Sequence, residues 1–159
     1  DIMVVTGVQT CALPICQKMN YTSIDLKEKG GNGKELNFDI DATTGDLMDI
    51  QQVNWKATDK TIESYNKEQL KERADELLTN MGLDLKEYNC EVGEIKQELP
   101  KGKIEDMKKN ETKMKKTLAV IYKQANNQKG KGVSVYLANN SVQISFIHEG
   151  NELGFKPMN

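Results

Sequence analysis

The chain has 159 residues, a formal net charge of −2 and 37% hydrophobic residues. That length suits about one domain, and the balance of charge and apolar content excludes both a disordered tail and a markedly basic nucleic-acid binder. From Gln17 onward no run reaches the ~18 consecutive apolar residues that a membrane-spanning helix needs.

Val5 to Ile15, VTGVQTCALPI, back-translates in one frame into a widely used sequencing adapter. The one adapter base left over is a T, with which the codon of Cys16 must begin. Residues 1–16 are therefore expected to be an adapter-derived artefact rather than native sequence, to be set aside before fold reasoning. Cys11 and Cys16 fall with them, which voids the CALPIC pair as a metal or disulfide motif. Cys90 then stands alone, with no partner in sequence for a disulfide framework or a zinc site. A lone cysteine of this kind is expected as a small buried apolar residue.

Strand signals follow. Thr22, Ile24 and Leu26 alternate with polar residues, Lys29 to Gly33 breaks the chain, and Leu36, Phe38 and Ile40 alternate again. Setting Leu26 opposite Leu36 places Ile24 on Phe38 and Glu28 on Lys34, as a half-buried hairpin requires. Thr43-Thr44-Gly45 is a three-residue turn with Gly at the left-handed position. It predicts Ile40 opposite Met48 and Phe38 opposite Ile50, completing a three-stranded meander.

Leu70, Ala74, Leu77, Leu78 and Met81 then fall on one face of a helix at about 66–82. Asn66 is the expected N-cap, Gln69 its capping-box partner, Tyr65 and Leu70 a hydrophobic staple, and Gly82 the left-handed C-terminal cap. Thr58 to Ser64 could extend the helix by a turn or two. Strands are expected at Tyr88 to Gln97 and, more strongly, at Thr117 to Lys123. A hairpin about Asn139-Asn140 should pair Ala138 with Ser141, Leu137 with Val142, Val135 with Ile144 and Val133 with Phe146. A last short strand is expected from Glu152 to Phe155.

Chemical motifs are sparse. Asp39, Asp41 and Asp46 cluster at a turn, but a helix-loop-helix calcium loop starting at Asp39 would need Gly and Glu where Thr44 and Ile50 stand. Solvated acids with a turn-forming role are the better reading. His148, the single histidine, lies beside Glu149 near a turn with no orienting partner legible from spacing. Nucleophile elbows and phosphate-binding glycine loops are absent from the sequence. Lys101 to Lys116 holds seven Lys against Glu105, Asp106 and Glu111. It has no aromatic residues for base stacking and reads as a solvated loop rather than a nucleic-acid patch. Trp55 is expected as a core anchor where helix meets sheet. No catalytic, metal or cofactor residue is expected.

ELNFDIDATTGDLMDI and NSVQISFIHEGNELGF share one layout: an alternating strand, a Gly-containing turn and a short strand led by Leu. The second copy has a helix ahead of its strands and the first does not. Residues 17–57 are thus expected to be the sheet half of a truncated first unit, and residues 58–159 a second unit with its helix in place.

Phe38 to Ile50, FDIDATTGDLMDI, resembles the closing segment of the PepSY family of small bacterial domains, on Ile40, Asp41, Thr44, Gly45 and Leu47. The helix from Lys67 to Met81 followed by strands looks like the opening of a second such unit. Its closing segment, Val142 to Phe155, departs from the pattern, with His148-Glu149 where the Asp-x-Thr would stand. Tandem units of this layout are also similar to spore-germination accessory proteins of Gram-positive bacteria. The resemblance implies an extracytoplasmic, non-catalytic domain that binds or restrains a peptidase or cell-wall hydrolase. Any membrane tether would then come from an upstream segment, and no nucleic-acid partner is implied. It carries over no catalytic residues, and Asp41, Thr44 and Gly45 are explained by turn geometry.

The expected fold is α+β: an antiparallel sheet with its apolar face packed on one main helix, in a cystatin-like or PepSY-like arrangement. The expected function is protein binding outside the cytoplasm, through contact residues the sequence does not name. The alternative is a small-ligand carrier, which would require Leu70, Leu77 and Leu78 to leave the space between helix and sheet open. A hydrolase would require His148 buried beside two carboxylates.

Overall fold

The computed structural model describes residues 2–10, 20–28, 34–53, 62–95, 117–126, 132–139, 141–146 and 154–159. Strands β1 (Ile2–Thr10), β2 (Asn20–Glu28), β3 (Glu35–Asp41) and β4 (Leu47–Val53) precede helix α1 (Lys67–Asn80). Strands β5 (Tyr88–Ile95), β6 (Thr117–Gln124), β7 (Gly132–Ala138), β8 (Ser141–Ser145) and β9 (Phe155–Pro157) follow it. They form one sheet in the order β1-β2-β3-β4-β8-β7-β6-β5-β9, with every pairing antiparallel. The fold is α+β, a sheet packed against one helix among the described residues.

Alternation sets the local registers. Ile24 lies opposite Phe38 and Leu26 opposite Leu36, as expected, and Lys27 faces Glu35 in an ion pair of 3.3 Å. In the next hairpin Phe38 meets Ile50 as expected, but Ile40 pairs with Leu47 rather than Met48. A β-bulge accounts for the difference: the register shifts between Asp39 and Ile40, so Leu47 and Met48 share one opposing residue. Met48 is buried, and its carbonyl accepts the Phe146 N–H at 2.9 Å.

The helix boundaries follow from its caps. Asn66 accepts the Gln69 N–H while the Gln69 side chain accepts the Asn66 N–H, a reciprocal capping box. At the other end Gly82 N–H reaches the Thr79 carbonyl and Leu83 N–H the Leu78 carbonyl. This Schellman arrangement puts Gly82 at φ +91, which only a residue without Cβ adopts at little cost. The helix does not extend back through Thr58 to Ser64. Ile62–Ser64 forms a separate 3₁₀ turn, whose Ile62 N–H donates to the Asn139 side chain, and residues 58–61 lie outside the described residues.

Leu70, Ala74 and Leu78 are fully buried on one face of α1. They share a core with Val92, Leu118, Val120, Tyr122, Val133, Val135, Leu137, Val142 and Ile144, against which Tyr65 and Leu77 pack. In the β7–β8 hairpin Ala138 meets Ser141, Leu137 meets Val142 and Val135 meets Ile144 as expected; the pairing ends at Ser134 and Ser145.

Two long-range features lie beyond the sequence reading. The outer side of β8 is taken by β4, with Ile50 opposite Ile144. A closing strand runs over Phe155–Pro157 and pairs with β5 on the far side of the sheet; Gly154 before it is in a turn, and Glu152 and Leu153 of the expected strand lie outside the described residues. The two closing segments of the repeat therefore lie differently. β4 stays beside β3, whereas β9 runs along β5, because β4 already satisfies the β8 edge. Gly93 admits β9: a Cβ there would overlap the Lys156 carbonyl and the Phe155 ring.

Candidate functional site

The acidic turn is built from backbone geometry. Asp41 Oδ1 accepts the N–H groups of Thr43 (2.7 Å) and Thr44 (3.1 Å), and the Asp41 carbonyl accepts Gly45 N–H at 2.8 Å. Thr44 Oγ1 accepts Asp46 N–H at 3.2 Å, and Gly45 sits at φ +78. The Asp41 carboxylate is thus an Asx-type turn former, and Asp46 is exposed. Asp39 belongs elsewhere: Ser23 Oγ donates to it at 2.5 Å across the β2–β3 pair. Among the described residues no group of His, Cys, Asp and Glu is arranged to hold a metal ion.

Opposite the α1 side, alternation lays out a broad polar face. Ser134, Ser145, Asp49, Asp39 and Ser23 stand in one cross-strand row, and Tyr136, Gln143, Gln51, Asn37 and Asp25 in the next. The carboxylates accept from neutral donors: Asn37 Nδ2 to Asp25 at 2.8 Å, and Gln143 Nε2 to Asp49 at 2.8 Å. On β2–β4 this face carries Asp25, Glu35, Asp39, Asp41 and Asp49 against Lys27.

A second polar cluster lies where α1 meets the sheet. The Tyr122 hydroxyl, on a side chain only 1% exposed, donates to Asp75 Oδ1 at 2.6 Å. The other Asp75 oxygen accepts from Lys71, one helical turn earlier. Burial, and then the bond to Asp75, hold the Tyr122 phenol far above its ordinary range. The Asp75 bond likewise raises the Lys71 ammonium. Cys90 lies opposite Tyr122 and is half-buried, and burial pushes its thiol up. A phenol kept protonated and a thiol kept neutral are poor nucleophiles near neutral pH. Chemically the cluster is a strut from helix to sheet. Nothing in sequence spacing links position 75 to position 122, so only folding reveals it.

Other sequence candidates, His148, Trp55, Cys11, Cys16 and Lys101 to Lys116, lie outside the described residues. No helix among the described residues is long and apolar enough to cross a membrane. No known protein family, curated protein or solved structure matches the chain.

Proposed function

We propose that this chain is a non-catalytic extracytoplasmic domain that binds or restrains a protein partner such as a peptidase or a cell-wall hydrolase. The observation that supports it best is the sheet face opposite α1 on β2–β4, where Asp25, Asn37, Asp39 and Asp49 are only partly covered. The space between α1 and the sheet is filled by Leu70, Ala74 and Leu78, all 0% exposed. The surface offered to another molecule is then that face of β2–β4 and the strand edges, which suit macromolecular recognition. That filled interior also weighs against a small-ligand carrier, whose site would open between these layers. The resemblance at Phe38 to Ile50 supports the extracytoplasmic setting.

The test adds the purified chain to a secreted peptidase and to a cell-wall hydrolase from the same source. A saturable, stoichiometric fall in the rate of one of them is expected, with no hydrolysis by the chain alone. Unchanged rates together with no complex in size-exclusion chromatography would overturn the proposal.

A further inference from the structure

We propose that the outer edge of β2 is a strand-acceptor site for an extended peptide in which β-branched apolar residues alternate with Lys or Arg. The inference deepens the binding function above and rests also on the reading of Val5 to Ile15 as adapter-derived.

The β1–β2 register runs without interruption from Ile2 opposite Glu28 to Thr10 opposite Asn20. Across the strands, Val5 stands opposite Asp25, Gly7 opposite Ser23 and Met3 opposite Lys27. By residue type these register positions are not charge-matched, since Asp25 and Lys27 are set against Val5 and Met3. An adapter translation was never selected to fit this edge. Its pairing along nine residues therefore reports on the backbone of β2, whose N–H and C=O groups accept a strand.

Native edge strands are commonly blunted by Pro, by a bulge or by shortness. β2 has none of these: NYTSIDLKE contains no Pro, and its registers with β1 and β3 are regular. Its one basic residue, Lys27, is paired with Glu35. Such an edge is built to receive a partner.

The rows beside that edge specify the occupant. On the α1 side, Thr22, Ile24 and Leu26 continue into Ile40, Phe38 and Leu36, so every second residue of a seated strand would extend an apolar row. On the opposite side, the intervening residues would meet Asp25, backed by Asn37 and Gln51, and Ser23, with Asp39 and Asp49 behind it. Asn37 and Ser23 donate to Asp25 and Asp39. An ionised carboxylate has about four acceptor positions, so one neutral donor leaves room for a cation. Lys or Arg supplies the matching charge.

The test uses the full 159-residue chain carrying Val4→Pro, Thr6→Pro and Val8→Pro, which strips β1 of ladder donors. The probes are fluorescent peptides Val-Lys-Val-Lys-Val-Lys-Val and Val-Glu-Val-Glu-Val-Glu-Val. Saturable binding of the basic peptide is expected, with renewed exchange protection at alternate amides of Asn20–Glu28. The acidic peptide should bind roughly tenfold more weakly, and Asp25→Asn should narrow that ratio. A folded triple-proline variant that binds neither peptide, or both equally, would overturn the site. So would loss of the whole sheet in that variant, since β1 would then be an integral strand. The hydrolase assay on the same variant separates the two proposals: inhibition without peptide binding sinks the edge site alone, and peptide binding without inhibition sinks the partner class.

Discussion

Strands β2–β4 and β5–β8 carry the same apolar face, row by row, yet their surroundings differ. Leu118, Val120, Tyr122 and Val135 are 2% exposed or less, under or beside α1. Ile24, Leu26, Leu36, Phe38, Ile40 and Ile50 continue those rows and all keep part of their surface in solvent. The opposite face differs too. Ala119, Ile121, Ser134 and Ser145 are buried on β6–β8, whereas Asp25, Asn37 and Asp39 on β2 and β3 are only partly covered. The later strands are core on both sides, and the earlier ones are half-buried on both. The contrast is written in residue pattern: TLAVIYK is a nearly continuous apolar run, and ELNFDID alternates. Stability should therefore reside in the later strands and recognition in the earlier ones.

The largest test of that division truncates one residue in each half. Leu78→Ala should cost about 2–5 kcal/mol, because its cavity lies in a closed core. Phe38→Ala, whose site stays partly wet, should cost clearly less, about 1–2 kcal/mol. Urea unfolding of both variants checks the order, and equal losses would erase the distinction.

Gly93→Ala comes next, at about 1–3 kcal/mol, since the new Cβ must displace β9. Amide exchange should show lost protection at Met158, whose N–H donates to the Val92 carbonyl, and unchanged protection in β2–β4. Spread of the loss into β2 would mean that the halves respond as one.

Tyr122→Phe should cost about 1–2 kcal/mol by leaving Asp75 without its buried donor. It also has a pH signature. The folded state holds the Tyr122 proton above the ordinary value of 10.0, so its contribution is intact below that pH. As pH rises past it, the unfolded chain loses the proton first and stability falls, by at most about 1.4 kcal/mol per pH unit. The raised Cys90 thiol acts in the same sense from about pH 9.0 upward. Denaturation between pH 8 and 11 should show a shallower decline in Tyr122→Phe; parallel slopes would remove the strut from the account.

The smallest expected effect is Asn66→Ala, about 1 kcal/mol, from breaking the capping box. Circular dichroism and exchange should confine it to the first turn of α1, with the meander untouched.

Whatever depends on neighbours in sequence was readable before folding. The Leu26–Leu36 and Leu137–Val142 registers, the Asn66 and Gly82 caps and the Gly45 turn each follow from alternation or from one special φ. The Ile40 pairing was off by one because a bulge shifts register without changing which residues are apolar. Of the candidate site residues, Asp41 was legible because its partners are two and three residues away. Asp25, Asp39 and Asp49 become one face only when three strands align, and Asp75 meets Tyr122 across 47 positions.

The sequence by itself determined the α+β class, the hairpins, the helix and its ends, because short-range sterics and hydrogen-bond satisfaction decide those. Tertiary structure alone decided that β4 docks on β8 and that β9 crosses to β5. It also left one half of a continuous apolar face under the helix and the other half in solvent. Those outcomes turn on which of several chemically similar strand edges is satisfied first and which remains open, and no local pattern ranks them.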